Sequence, residues 1–154
     1  MREVALLLHN IRSVHNVGSI FRTADAAGVS KIYLSGYSPT PLDRFGYPRK
    51  DLAKVALGAE KSIPWEHQKN CDAIVAGLRD KRWLIVGVEQ DDLAIDYRKL
   101  KLKDKTLFIL GNEVRGISPA LRKKCDILVE IPMHGKKESL NVGVAAGIIL
   151  FSVN

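Results

Sequence analysis

Residues 4–34 read VALLLHNIRSVHNVGSIFRTADAAGVSKIYL, and their order decides the fold class. Val4-Ala-Leu-Leu-Leu8 is a short, unbroken apolar run, the pattern of a strand covered on both faces. Residues 9–16 are polar, residues 17–27 read as a helix stopped by Gly28, and Ser30-Lys-Ile-Tyr-Leu34 returns as a second strand. The stretch predicts a β-α-β unit with a polar strand-to-helix loop. In parallel sheets ligands gather at that edge.

Outward from this unit the alternation continues. Residues 35–48, SGYSPTPLDRFGYP, read as an ordered irregular loop that brings Tyr37, Arg44, Phe45, Tyr47 and Arg49 within reach of one another. Aromatic and guanidinium planes together can stack on unpaired bases, or the rings can anchor the loop over the core. Residues 52–57 look helical, 60–65 extended and 69–81 helical, and Trp83-Leu-Ile-Val-Gly-Val88 is a buried strand. Residues 91–105 are polar and end in the basic cluster Arg98, Lys99, Lys101, Lys103 and Lys105. Thr106-Leu-Phe-Ile-Leu110 is another buried strand, residues 111–118 are its exit loop, residues 119–124 are a short helix with Pro119 at its first position, and residues 127–131 are a last strand. Strands alternating with helices predict one α/β domain over residues 1–154, a mostly parallel sheet flanked by helices.

The last stretch, residues 131–154, joins a basic, glycine-containing loop to a helix that is apolar nearly all round, IPMHGKKESLNVGVAAGIILFSVN. Ser139 is the expected N-cap. An all-round apolar helix is buried on more than one side, in its own core and in a partner's. Gly143, Ala145, Ala146 and Gly147 keep its surface low enough for another backbone.

Composition narrows the function. A net charge of +7 points to a polyanionic partner, nucleic acid above all. Cys71 and Cys125 stand alone, without Cys-x-x-Cys, as free thiols of a reducing compartment, and no zinc site is expected. The apolar run at residues 4–8 is too short for a signal-peptide core, and the last helix is shorter than the roughly 20 residues of a membrane span. The expectation is a cytoplasmic protein without membrane partners.

Three polar clusters stand after strands or before helices: Asn16 to Arg22, Gly111-Asn-Glu113 to Gly116, and Ser139-Leu-Asn141. The topology gathers such positions at the carboxyl edge of the sheet. No G-x-G-x-x-G follows the first strand, Ile117-Ser118 replaces the Lys-Ser/Thr of a phosphate loop, and no G-x-S-x-G elbow occurs. His9 and His15, six apart, share no helix face for a metal and read as locally bonded loop histidines.

Taken in order, Asn16-Val-Gly-Ser-Ile-Phe-Arg22-Thr-Ala, then Ile109-Leu-Gly-Asn-Glu-Val-Arg-Gly116, then Ile131-Pro-Met-His-Gly-Lys-Lys-Glu-Ser-Leu-Asn-Val142 resemble the three motifs of SpoU-type RNA ribose methyltransferases of the SPOUT superfamily. One departure is Gly143, where the family commonly has Ser or another small residue. The resemblance implies a C-terminal deep trefoil knot, S-adenosylmethionine as methyl donor, a ribose 2′-hydroxyl of tRNA or rRNA as acceptor, and a homodimer whose protomers complete each site. It leaves no room in these residues for the extra RNA-binding domain of some relatives. Knots are nearly absent from proteins; glycines at 111, 116 and 135 would let the two loops pass each other.

The same resemblance implies catalytic roles for Asn16, Arg22, Glu113, Ser139 and Asn141. It implies cofactor contacts at Leu110, Gly111, Asn112, Gly116, Ile131, Met133 and Leu140, and no metal. Arg22 matches an arginine proposed in the family as general base. A free guanidinium has a pKa above about 12, so gripping a phosphate and orienting the ribose suits it better. Asn16 and Asn141 would fix Arg22 or the ribose, Glu113 would orient the guanidinium, and Ser139 would cap the helix, contact the nucleotide, or both. A catalytically silent knotted RNA-binding protein is the alternative, and a generic nucleotide-binding α/β enzyme is a third.

Overall fold

A computed structural model describes residues 1–153; Asn154, the end of the C-terminal stretch and of the expected domain, lies outside the described residues. The opening unit folds as β1 (Glu3–His9), α1 (Val14–Ala26) and β2 (Lys31–Ser35). α2 (Lys50–Ala56) and α3 (Ala59–Ser62) lead to β3 (Trp65–Gln68), and α4 (Cys71–Asp80) leads to β4 (Leu84–Val88). β5 (Ile95–Asp96) and a 3-10 turn (Tyr97–Lys99) precede β6 (Lys105–Leu110), α5 (Pro119–Arg122), β7 (Ile127–Glu130) and α6 (Val142–Ser152).

Every pairing between these strands is parallel, in the order β3-β2-β1-β6-β4-β7-β5. β1 lies between β2 and β6, with Leu7 opposite both Tyr33 and Ile109. Its unbroken apolar run follows from burial on both faces. Leu6 and Leu8 join Phe108, Val86 and Ile32 beneath α1, α2 and α6. Ala5 and Leu7 join Leu107, Ile109 and Ile85 on the opposite face, where Ile74, Val75 and Leu78 of α4 and Leu121 of α5 cover them.

α1 sits close to its neighbours. A Cβ on Gly18 would stand 2.9 Å from the Leu52 carbonyl oxygen of α2, so only glycine lets these helices approach so far. On the other side Gly143 and Gly147 of α6 lie against Ser19 and Thr23. Gly28, at φ +75°, ends the helix as expected, and its N–H donates to Asp25.

Four local expectations change. α1 begins at Val14, three residues early, because the Ser13 hydroxyl caps it by accepting from the Asn16 N–H at 3.1 Å. Ala59–Ser62 is helical and the extended segment starts only at Trp65, as edge strand β3. The polar segment 91–105 contains the two-residue strand β5. Finally, Ser139 does not cap the last helix. α6 starts at Val142, and the Asn141 side-chain oxygen accepts from Gly143 N–H at 2.9 Å and Val144 N–H at 3.3 Å. Within this chain α6 buries Val142, Ala146, Ile149 and Leu150 and leaves Val144 and Phe151 52% and 55% exposed. Among the described residues no helix is long and apolar enough to cross a membrane.

Phe108, fully buried at the centre of the sheet, should dominate stability. Phe108→Ala is expected to lose about 3–5 kcal/mol in urea melts, whereas Phe45→Ala, at a ring 68% exposed, should stay within about 0.5 kcal/mol.

Candidate functional site

In this strand order the chain leaves β1 toward β2 on one side and leaves β6 toward β7 on the other. The crevice between the carboxyl ends of β1 and β6 is therefore the topological switch point, where open parallel sheets bind ligands. The loop after β6 closes over it. Asn112 opens that loop, its side-chain oxygen accepting from Val114 and Arg115 N–H at 2.9 Å each and its amide donating to the Asn10 carbonyl at 3.0 Å. Gly116, at φ +66°, closes the loop by donating its N–H to the Asn112 carbonyl at 2.8 Å.

Glu113 ties this loop to α1. Its carboxylate accepts from Arg12 N–H and Ser13 N–H at 3.1 Å and from the Asn16 side-chain amide at 3.4 Å. Asn16, 9% exposed, in turn accepts from the Asn141 amide at 3.1 Å. One polar relay thus joins the exit of β6, the first turn of α1 and the start of α6. Burial works against ionising Glu113. The N–H groups of Arg12, Ser13 and Glu113 itself, with the Asn16 amide, outweigh it and hold the carboxyl below its ordinary value.

Beside the relay lies a cleft walled by the ends of β4, β6 and β7 and the start of α6. Val88, Leu110, Ile131, Leu140 and Val142 give it an apolar side, and Glu89, Glu113 and Glu130 bring carboxylates to it. Two glycines keep it open. A Cβ on Gly111 would stand 2.5 Å from the Gly116 carbonyl carbon, and one on Gly116 would stand 2.0 Å from a Glu89 carboxylate oxygen. That oxygen accepts from Ile117 N–H at 2.6 Å, and the Gln90 amide donates to the Ile131 carbonyl at 2.7 Å, joining the β4, β6 and β7 loops.

The structure gathers Leu110, Gly111, Asn112, Gly116, Ile131 and Leu140 on this cleft together with Glu113 and Ser139; Met133 is not on its wall. Asn16 and Asn141 stand behind it in the relay. Arg22 is exposed on α1 and lines no wall of the cleft, and its guanidinium has no hydrogen bond or ion pair among the described residues. The expected pairing of Glu113 with the Arg22 guanidinium is not formed, because Arg12 and Ser13 N–H just before α1 and the Asn16 amide in its first turn supply the donors to that carboxylate. Glu89 and Gln90 escaped the sequence reading: they follow an apolar strand without a motif, and only the carboxyl edge of β4 marks them.

The loop after β2 also divides. Arg44 lies over the Phe45 ring at 4.8 Å and Arg49 pairs with Asp51, while the Tyr37 hydroxyl accepts from the Asn112 amide at 2.9 Å. Neither expected loop histidine lies in a loop: His15 is in α1, and His9 ends β1, bonding across to the Ser35 hydroxyl of β2 at 2.7 Å and to the Asn10 amide at 3.2 Å. Burial lowers its pKa, against the pull of Asp72. Cys71 and Cys125 are free thiols; burial raises both, Cys125 to about 11, so neither is a ready nucleophile. Among the described residues no three His, Cys, Asp or Glu side chains could hold a metal ion.

Comparison with known proteins converges on one group. Residues 3–151 match the SpoU rRNA Methylase family. A Staphylococcus saprophyticus protein assigned to the TrmH family of tRNA/rRNA methyltransferases is 34% identical over 98% of this chain. The chain spans 58% of that relative's length. The A. aeolicus TrmH/SpoU tRNA modifying enzyme superposes with a TM-score of 0.85 at 26% identity, over 99% of this chain and 74% of its own. The SpoU methyltransferase AviRb from Streptomyces viridochromogenes, solved with AdoMet, gives 0.85 at 28% identity, over 97% and 56%.

The relay makes a pH-dependent prediction. With its folded pKa depressed, Glu113 contributes stability that is fully present above the unfolded value and is lost as pH falls through the folded one. Glu113→Gln should cost about 1–2 kcal/mol at neutral pH, and its gap to wild type should close in acid, as urea melts across the carboxyl range would measure.

Proposed function

The chain belongs to the SpoU rRNA Methylase family, and from that premise we propose that it transfers a methyl group from S-adenosylmethionine to a ribose 2′-hydroxyl of tRNA or rRNA. The observation that carries this is the relay through Glu113, Asn16 and Asn141, which joins one residue from each of the three motifs behind a single cleft that Glu113 lines.

The cleft suits that cofactor. Its apolar walls match an adenosyl group held by few polar contacts, and its carboxylates favour a bound cation. Main-chain groups at Gly111, Ile131 and Leu140 hold the adenine and amino-acid portions, with Leu110, Asn112 and Gly116 completing the cradle and Met133 in the same loop. S-adenosylmethionine supplies an electrophilic methyl group. The chain supplies position: Arg22 grips an RNA phosphate and orients the ribose, Ser139 contacts the nucleotide at the cleft mouth, and Asn16, Glu113 and Asn141 hold the loops in register.

Two further features belong to this reading. The segment from β6 to α6 is tied in a deep trefoil knot. The return of α6 onto α1, where Gly143 and Gly147 lie against Ser19 and Thr23, supports it; Gly111 and Gly116 meet within one loop, and Gly135 has nothing within 4 Å of where its Cβ would stand. The active form is a homodimer in the cytoplasm. The outer face of α6, with Val144 and Phe151 exposed, is the surface a second copy covers, and Arg22, whose guanidinium no other described residue engages, works in the site that the pair completes.

Incorporation of tritiated methyl into bulk tRNA and rRNA, released as 2′-O-methylnucleoside, tests the reaction. Arg22→Ala should lower it about 100-fold or more, while calorimetry still detects S-adenosylhomocysteine; wild-type turnover by this variant would overturn the role of Arg22. Light scattering at micromolar concentration should return twice the 17.1 kDa protomer mass.

A further inference from the structure

A second depression lies on the other side of Asn112, Glu113 and Val114, which it shares with the cleft as a common wall. Arg12, Tyr37 and Arg115 line its remaining sides. We infer that it seats an unpaired nucleotide of the RNA, the base stacked on the Tyr37 ring and the flanking phosphates held by Arg12 and Arg115. The inference rests on the reading of the chain as an RNA methyltransferase and deepens it.

Tyr37 is 59% exposed yet fixed at both ends. Its hydroxyl is held by the Asn112 amide at 2.9 Å, and its backbone N–H donates to the Asn10 side-chain oxygen at 3.1 Å. Asn10 itself takes the left-handed conformation, φ +55°, to make that contact, and neighbouring Gly36 does so at φ +62°. Asn10 and Gly36, far apart in sequence, both take the left-handed conformation beside the ring, one that Asn and Gly adopt more readily than other residues. An exposed ring that is already immobile offers a stacking face with little ordering left to lose.

The charges around it agree. Arg49, Arg79, Arg98 and Arg122 are each engaged by an aspartate, at Asp51, Asp126, Asp96 and Asp91. The exposed guanidiniums of Arg12 and Arg115 have no such partner among the described residues, as is true also of Arg2, Arg22, Arg44 and Arg82, but these two alone of the arginines line the depression. The one carboxylate nearby, Glu113, is already occupied by main-chain donors. Unpaired guanidiniums beside a fixed aromatic face are the chemistry of single-stranded RNA recognition, since a duplex keeps its base faces stacked inside. Proximity supplies the rest, for a nucleotide seated here is separated from the cleft only by the Asn112–Val114 wall.

A Tyr37→Trp variant makes the subsite visible. Single-stranded oligouridylate and oligoadenylate at low salt should quench its added fluorescence beyond the response of Trp65 and Trp83 in wild type, and duplex RNA should not. In filter binding of oligouridylate, Tyr37→Ala should weaken affinity about tenfold and Tyr37→Phe, which keeps the ring, less than about threefold. Arg12→Ala and Arg115→Ala should each lower the salt dependence by about one ion. Absence of quenching, or equal losses for Tyr37→Phe and Tyr37→Ala, overturns the subsite. Calorimetry with S-adenosylhomocysteine separates the two readings. If wild type binds it but no quenching appears, the subsite alone fails. If quenching appears but wild type does not bind it, the methyl-transfer reading fails and the subsite stands.

Discussion

The carboxylate of Glu113 needs donors, and where it finds them decides how the carboxyl edge of the sheet is assembled. A partly buried anion is tolerated only when its lone pairs are met. The residues that lead into α1 present N–H groups that no helix bond satisfies, at the end of the helix that favours negative charge. Meeting there, with Arg12 and Ser13 N–H as donors, draws the loop after β6 across the loop after β1. Asn16 extends the tie to Asn141, which at once caps α6 and holds it near the cleft. A single need for hydrogen bonds thereby sets the mutual position of three segments distant in sequence.

Around that tie, small residues and paired charges determine what stays open. Gly111 and Gly116 occupy positions where a methyl group would collide with backbone or with Glu89, so the cleft wall can fold back on itself. Arg49, Arg79, Arg98 and Arg122 are engaged by aspartates, whereas among the described residues the guanidiniums of Arg12, Arg22 and Arg115 have no such partner and can meet an external anion. A net positive charge alone would attract any polyanion; the placement of the unpaired guanidiniums gives that attraction a direction.

Much of the architecture was legible locally. β1, β4 and β6 announce themselves as apolar runs because both faces of a central parallel strand are buried, and Pro119 and Gly28 punctuate their helices as their backbone chemistry requires. The edge strands were not legible. Trp65-Glu-His-Gln68 and Ile95-Asp96 carry no apolar run, since an edge strand is less enclosed, and pairing alone makes them strands. Ser139 and Asn141 are both good capping residues two positions apart, and no local pattern ranks them. The choice fell to Asn141 because its amide can cap α6 and reach Asn16 together.

By itself the sequence determined the α/β class, the parallel sheet, the three motifs and the segments that would meet. Local periodicity and motif spacing carry that information, because each records how a residue is buried or used within its own element. Only the tertiary structure decided that Glu113 bonds α1 and leaves Arg22 free, that Glu89 and Gln90 join the cleft, and that Tyr37 stands beside it. The partners in the relay are 97 and 125 residues apart. Contacts at such separations depend on the order in which strands lie side by side, and no window of sequence contains that order.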